Sequence, residues 1–235
     1  MSYCQRQLEN LLAQTLETRP LVYLNGPHQV GKSTLAEHIS EGREFNHVSF
    51  DSPLAAASAR SDPVGFIKSL PKDKLNIIDE VQMAPEVFRQ FKAAVDTTRS
   101  KGSAGLYLLT GSANILALPQ LADALVGRMS ILTLLPFSSA ERCGTGKNFL
   151  KSLWSDSLGY KKYEDADLAD FIFDATYPEI ALNHKIKRTQ WFDDYLTTIL
   201  QRDVKTLADI RNPNNVLHLI VSLSLRAGSL LNNAS

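Results

Sequence analysis

Gly26-Pro27-His28-Gln29-Val30-Gly31-Lys32-Ser33 fits the pattern G-x-x-x-x-G-K-[ST], the spacing of a phosphate-binding P-loop, or Walker A motif. Glycines at both ends of such a loop take backbone angles that a Cβ disfavours. The main chain can then close around a phosphate with its N–H groups turned inward. A helix beginning near Lys32 adds the partly positive end of its dipole. In that arrangement Lys32 reaches the β- and γ-phosphates and the Ser33 hydroxyl ligates Mg2+. The expected nucleotide contacts are Gly26, Pro27, His28, Gln29, Val30, Gly31, Lys32, Ser33 and Thr34. The plainer alternative is an ordinary glycine turn between strand and helix. Context argues against it: the apolar run Leu21-Val22-Tyr23-Leu24 reads as a buried strand before the loop, and Thr34 to Ile39 reads as the first turns of a helix after it.

Further along, Leu75-Asn76-Ile77-Ile78-Asp79-Glu80 is an apolar strand ending in two carboxylates. An acidic residue at a strand end holds Mg2+ in P-loop enzymes, which suits Asp79. Glu80, one position on, lies past the strand, where a carboxylate can orient and deprotonate an attacking water. The competing reading is a helix cap or a surface turn. A third strand end, Leu108-Leu109-Thr110-Gly111-Ser112-Ala113-Asn114, offers hydroxyl or amide groups towards the γ-phosphate. Ser112 ranks first there, with Thr110 and Asn114 as alternatives and a helix cap as the structural reading. Gly127-Arg128 follows a helix pattern. Arg128 is either an arginine finger given to a neighbouring subunit or the partner of a surface ion pair. Asp51 and His28 each have a functional and a solvated reading. The short basic run from His184 to Arg188 reads as a solvated helix start rather than a nucleic-acid patch.

The elements that must position these groups are five apolar runs: Leu21–Asn25, His47–Asp51, Leu75–Asp79, Leu106–Thr110 and Ser130–Leu134. Helical patterns at 32–41, 54–60, 85–99 and 116–126 alternate with them. The alternation predicts an α/β fold with a mostly parallel sheet covered by helices on both faces. Pro136 marks a break, and Gly144 to Asn148 reads as a linker. Beyond it strand signals give way to helices. One spans Thr189 to Ile210, with Trp191, Tyr195 and Ile199 on one stripe. Another spans Val216 to Ala227, begun near Pro213 and stopped at Gly228. The expected domains are 1–142 (the ATP-binding domain), 143–161 (a linker) and 162–235 (a smaller helical region).

The 235 residues hold 25 Lys plus Arg against 25 Asp plus Glu, so charge balance gives no argument for nucleic acid or a membrane surface, although nucleic-acid binding stays open. Two cysteines, Cys4 and Cys143, suggest no disulfide framework and suit a reducing cytoplasm. No stretch combines the length and apolarity of a membrane span, and the N-terminal residues lack the apolar core of a signal peptide.

Taken together, these segments resemble the AAA+-type ATPases of bacteria and archaea that pair an N-terminal P-loop domain with a C-terminal domain of unknown function. The resemblance is carried by Gly26 to Leu35, Ile78-Asp79-Glu80-Val81-Gln82-Met83-Ala84-Pro85, Leu109 to Asn114, Leu125 to Arg128, Leu135 to Ser138 and Glu141. Later landmarks are Tyr177-Pro178-Glu179 and Gln201-Arg202-Asp203-Val204. It implies Lys32 and Ser33 as ATP and Mg2+ contacts, and Asp79 and Glu80 as the Walker B pair. It also implies Ser112 near the sensor position and Arg128 near the finger position. His28 departs from the family's usual arginine, and Ala175-Thr176 from its usual pair of glycines. The family's C-terminal domain normally runs further, which implies that this one is incomplete. Three readings follow: an ATP hydrolase driving a protein partner or a homo-oligomer, a nucleotide-dependent regulatory or defence switch with little turnover, and a P-loop kinase. Asp79-Glu80 argues against the kinase, because activating water serves hydrolysis and not transfer. The chain has no Asn-Lys-x-Asp guanine motif, so ATP is expected over GTP.

Overall fold

A computed structural model of the chain describes residues 3–99, 104–112, 127–142, 144, 153–154, 176–183, 185–200, 213–226 and 228. The chain divides into two compact units, Met1–Leu182 and Asn183–Ser235. Among the described residues of the first unit, five strands form one sheet: β1 Leu21–Asn25, β2 Phe45–Ser49, β3 Leu75–Asp79, β4 Tyr107–Gly111 and β5 Met129–Thr133. Their order across the sheet is β2-β3-β4-β1-β5, and every neighbouring pair is parallel. Parallel neighbours need crossovers; helices occupy those between β1 and β4 along the chain, and one more precedes β1. They are α1 Glu9–Thr18, α2 Lys32–His38, α3 Pro53–Ser61, α4 Pro63–Ser69 and α5 Val87–Arg99, with a 3₁₀ turn at Val81–Met83. The short helices α6 Ser139–Arg142 and α7 Pro178–Leu182 follow.

The pleat of β1 sorts its side chains onto two cores. Leu21 and Tyr23 join Phe50, Phe88, Phe91 and Val95 on one face, and Val22 and Leu24 join Leu12, Leu16, Leu35 and Ala36 on the other. Both faces are therefore covered, which is why β1, β3 and β4 are apolar along their length. The central position of β4, between β3 and β1, brings three strand ends to one place. Asn25 pairs with Gly111 of β4, and Asn76, Ile77 and Ile78 of β3 pair with β4 from the other side.

The strands anticipated from the sequence are all present, with ends shifted by one residue in β4 and β5 and by two in β2. The edge strand β2 is only half covered, so its apolar signal does not mark its limits. Helices α1 and α4 were not anticipated. Asp51 lies in the turn after β2, exposed, and Ser52 is the residue that caps α3.

In the second unit α8 Arg188–Ile199 carries the expected stripe: Trp191 and Tyr195 are buried and stack at 4.9 Å between ring centroids. Helix α9 spans Pro213–Ser224, and Gly228 takes a positive φ of 82° just beyond it. Among the described residues no helix is long and apolar enough to cross a membrane. The expected helix at 116–126, Asn114, Cys143, His184, residues 145–148 of the linker and the 201–210 part of the long helix lie outside the described residues.

Candidate nucleotide site

The loop after β1 is shaped by two close constraints. Gly26 has φ 157°, and a Cβ there would lie 2.2 Å from the Leu134 carbonyl oxygen, so only glycine fits. Gln29 (φ 61°) and Gly31 (φ 89°) both adopt left-handed backbone, which turns the chain back into α2. Lys32 is buried, and its ammonium donates to the carbonyls of Gly26 at 3.1 Å and Pro27 at 2.9 Å. The Ser33 hydroxyl donates to Asp79 Oδ2 at 2.7 Å, joining the first turn of α2 to the end of β3.

Asp79 is held from a second side by the Thr110 hydroxyl of β4, which also accepts the Glu80 N–H at 3.4 Å. Glu80 sits in left-handed backbone (φ 54°), a costly conformation for a residue with a side chain. That twist turns its buried carboxylate towards the P-loop, where Oε1 lies 3.9 Å from His28 Nδ1. The other oxygen accepts from Gln82 Nε2, which also donates to Ser112 Oγ at 3.1 Å. Tyr23 of β1 stands nearby. Burial first, and then the Glu80 charge, hold its phenol well above the ordinary value.

The N-terminal segment closes the other side of the loop. Arg6 donates to the Val30 carbonyl at 2.8 Å, to the Leu135 carbonyl at 2.5 Å and to Glu141 Oε1 at 3.1 Å, and it lies 4.7 Å from the Phe137 ring centroid. Burial pushes the Glu141 carboxyl up. The N–H groups of Ser138 and Gln7 and the Arg6 charge outweigh burial, so it titrates below its ordinary value. Beside this clamp, and against Gly31 and Thr34, lies a cavity of about 280 Å³ walled by Tyr3, Cys4, Phe137 and Pro178.

Residues 18–143, just over half of the chain, match the AAA domain family. The chain belongs to that family. Residues 165–235 match a domain of unknown function (DUF8612), so an AAA-type P-loop domain is followed by a separately classified helical region. Over 197 residues the chain is 25% identical to an uncharacterised protein of Mycobacterium tuberculosis and to one of Mycobacterium bovis, covering 83% of this chain. It spans 38% of the length of these curated relatives. Among solved structures, it is similar to the Walker-type ATPase PABY2304 of Pyrococcus abyssi (TM-score 0.49, 17% identity, 89% of this chain and 76% of that one). It is also similar to a RuvB variant of Thermotoga maritima (TM-score 0.40, 19% identity, 57% of this chain and 45% of that one).

In this AAA domain Lys32, Ser33, Asp79, Glu80, His28, Thr110 and Ser112 come together at the ends of β1, β3 and β4. Arg128 does not join them. It precedes β5, whose Met129 pairs with Leu21 at the opposite edge of the sheet, and its Nε donates to Asp96 of α5 at 2.6 Å. Two residues of the cluster were not named as site residues from the sequence. Gln82 was legible only as part of the Asp-Glu-Val-Gln run, and Arg6 gave no signal at all, being one arginine in a mixed polar segment.

Proposed function

We propose that this AAA domain binds ATP and hydrolyses it to ADP and phosphate, using the cycle to drive or switch a partner. The observation that carries the reading is the placement of Glu80. Its carboxylate is buried beyond β3 and faces the phosphate loop across 3.9 Å to His28, the position from which a base can take a proton from water. Phosphoryl transfer to water asks the protein for positioning and for charge stabilisation. Lys32, already held inside the loop, supplies a cation for the β- and γ-phosphates. The main-chain groups from Gly26 to Thr34 wrap the same oxygens, and the neighbouring cavity offers the Tyr3, Phe137 and Pro178 walls to a flat base.

Ser33 and Asp79 fit Mg2+, because a hydroxyl and a carboxylate oxygen already converge within 2.7 Å and both are hard donors. Among the described residues no group of three or more His, Cys, Asp or Glu could hold a metal alone. One or two protein oxygens shared with phosphate is the arrangement Mg2+ commonly takes. When bound, the ion neutralises charge building on the β- and γ-phosphate oxygens. Thr110 keeps Asp79 oriented, Glu80 activates water, and Ser112 lies where a hydroxyl can meet the terminal phosphate. Arg128 would act on a neighbouring subunit's nucleotide.

Phosphate release by the wild type and Glu80→Gln tests the reading, alongside a titration with a fluorescent ATP analogue. Glu80→Gln is expected to bind nucleotide as the wild type does and to lose at least roughly 100-fold in turnover, the range of general-base contributions. Equal turnover would remove Glu80 from the mechanism. Lys32→Ala is expected to weaken binding itself, and an unchanged affinity would count against the phosphate loop. Absent turnover in a wild type that still binds ATP favours the switch reading.

A further inference from the structure

We propose that Gln82 is a positioning residue for hydrolysis: its amide fixes the Glu80 carboxylate and ties it to Ser112 at the end of β4. The inference rests on the reading of Glu80 as the base. A side-chain amide has two N–H hydrogens. Both of Gln82's are engaged, one by Glu80 Oε2 and one by Ser112 Oγ at 3.1 Å. The reversed amide would set a carbonyl oxygen against a carboxylate, so the charge on Glu80 itself fixes the orientation. Gln82 Oε1 is buried and, among the described residues, has no hydrogen-bond partner. The side chain is therefore held by its two donors, and an amide placed only for packing would not leave that oxygen orphaned.

The backbone is built for this contact. Glu80 in left-handed conformation starts the 3₁₀ turn Val81–Met83, and this brings the side chains of residues 80 and 82 together although they are two apart. The Arg60 guanidinium donates to the Met83 carbonyl and anchors the far end of the turn. Opposite, Gly111 supplies the space: a Cβ there would lie 2.5 Å from Gln82 Oε1 and 2.6 Å from the Tyr23 hydroxyl. Ser112 accepts from Gln82 and so keeps its own O–H to give to an oxygen on its other side. A terminal phosphate oxygen that takes this hydrogen is three hydrogen bonds from the base, through Ser112 and Gln82. Both donations come from one amide nitrogen, so what Ser112 draws from Gln82 alters what is left for Glu80. The presence or loss of the γ-phosphate is thereby passed to Glu80.

The test is steady-state hydrolysis and equilibrium ATP affinity of Gln82→Met, which keeps length and volume but has no donors. A hydrogen bond to a charged group is worth enough to lower kcat roughly 10- to 100-fold when lost. The expected result is that fall in kcat with a Kd within about twofold of wild type, because the amide touches the base and not the nucleotide. Ser112→Ala is expected to lower kcat too, and the double variant to lose no more than the worse single one, since both cut the same chain. Gln82→Asn keeps the amide but shortens its reach. It serves where the Met variant does not fold, with the same loss expected. Wild-type kcat in either folded Gln82 variant overturns the proposal, as do losses that multiply in the double variant. Glu80→Gln run in parallel separates the two readings. If Glu80→Gln hydrolyses normally, the base assignment fails and this inference falls with it. If Glu80→Gln is inactive while Gln82→Met is fully active, only this inference fails.

Discussion

Arg6 makes hydrogen bonds from one guanidinium to three separate stretches of chain: the phosphate loop at Val30, the segment after β5 at Leu135, and α6 at Glu141. A planar fork can satisfy three directions at once and lie over Phe137 as well; a lysine's compact ammonium has neither the fork's spread nor its flat face. Arg6→Ala would strand the Glu141 carboxylate and two carbonyls in a buried place. Removing one partner of a buried pair costs about 3–5 kcal/mol. Urea unfolding is expected to show a loss of that order, with Arg6→Lys recovering little; a loss below about 1 kcal/mol, the range of surface pairs, would mean the clamp is ornamental. The same clamp has a pH signature. Glu141 titrates below its ordinary value of 4.5 when folded, so its stabilisation is complete above that value and disappears as acid drives the pH through the lowered one. Wild type should therefore lose stability in acid that Glu141→Gln does not have to lose. The sequence shows the chemistry of Lys32, Ser33, Asp79 and Glu80 because each sits in a spaced motif beside an apolar strand. Arg6 reaches its partners only through contacts 24 to 135 residues away in the chain, and no local pattern records them.

Three strand ends, of β1, β3 and β4, do the positioning, and their adjacency comes from the sheet order rather than from the order in the chain. Strands β1, β3 and β4 read as apolar runs, broken within β3 by the buried Asn76, since burial on both faces removes the polar alternation. The helices were less legible. Helix α1 buries only Leu12 and Leu16 and starts without a side-chain cap, and α4 is a seven-residue helix with Gly65 inside it. Gln82 shows what a sequence withholds: it acts because the turn after β3 packs on the end of β4, a contact that exists only once the sheet is formed. Gly111 is the point where those elements touch. Gly111→Ala would drive a methyl into the Gln82 amide and the Tyr23 hydroxyl, both side-chain ends that must move aside. Overpacking of this kind typically costs about 1–3 kcal/mol. Its functional cost should be larger than its effect on stability suggests. The expected outcome is a protein that still unfolds cooperatively and binds ATP but hydrolyses it at least roughly tenfold more slowly, the effect of displacing a hydrogen-bonded base. Phosphate release at saturating ATP measures it, and unaltered turnover would show that β4 does not support the base.

Arg128 raises the question of what the working particle is. It stands before β5, and the register of β5 on β1 places it at the edge of the sheet opposite the phosphate loop. Five residues of strand separate that edge from Gly26, roughly 16 Å at 3.3 Å per residue. A guanidinium there does not reach its own chain's nucleotide, so a catalytic role requires a second copy whose site it completes. Its contact with Asp96 is the local alternative, an ion pair at the surface, which contributes little to stability once solvent screens it. The two roles predict different arithmetic when subunits are mixed. If Arg128 completes a neighbour's site, each Arg128→Ala subunit silences the site beside it, and activity falls at least in step with the wild-type fraction. An arginine of this kind is worth roughly 10³–10⁵ in rate where it has been measured, so the silencing should be nearly complete. If the pair with Asp96 is its whole purpose, Arg128→Ala and Asp96→Ala behave alike and activity stays at the wild-type level at every mixing ratio. Mixing purified wild-type and Arg128→Ala chains at fixed total concentration, with ATP present and particle mass followed by light scattering, decides between them. The expected curve falls towards zero with the wild-type fraction, from a particle larger than one chain. Undiminished activity at every ratio, from an assembled particle, would return Arg128 to the surface and leave the site complete within one chain.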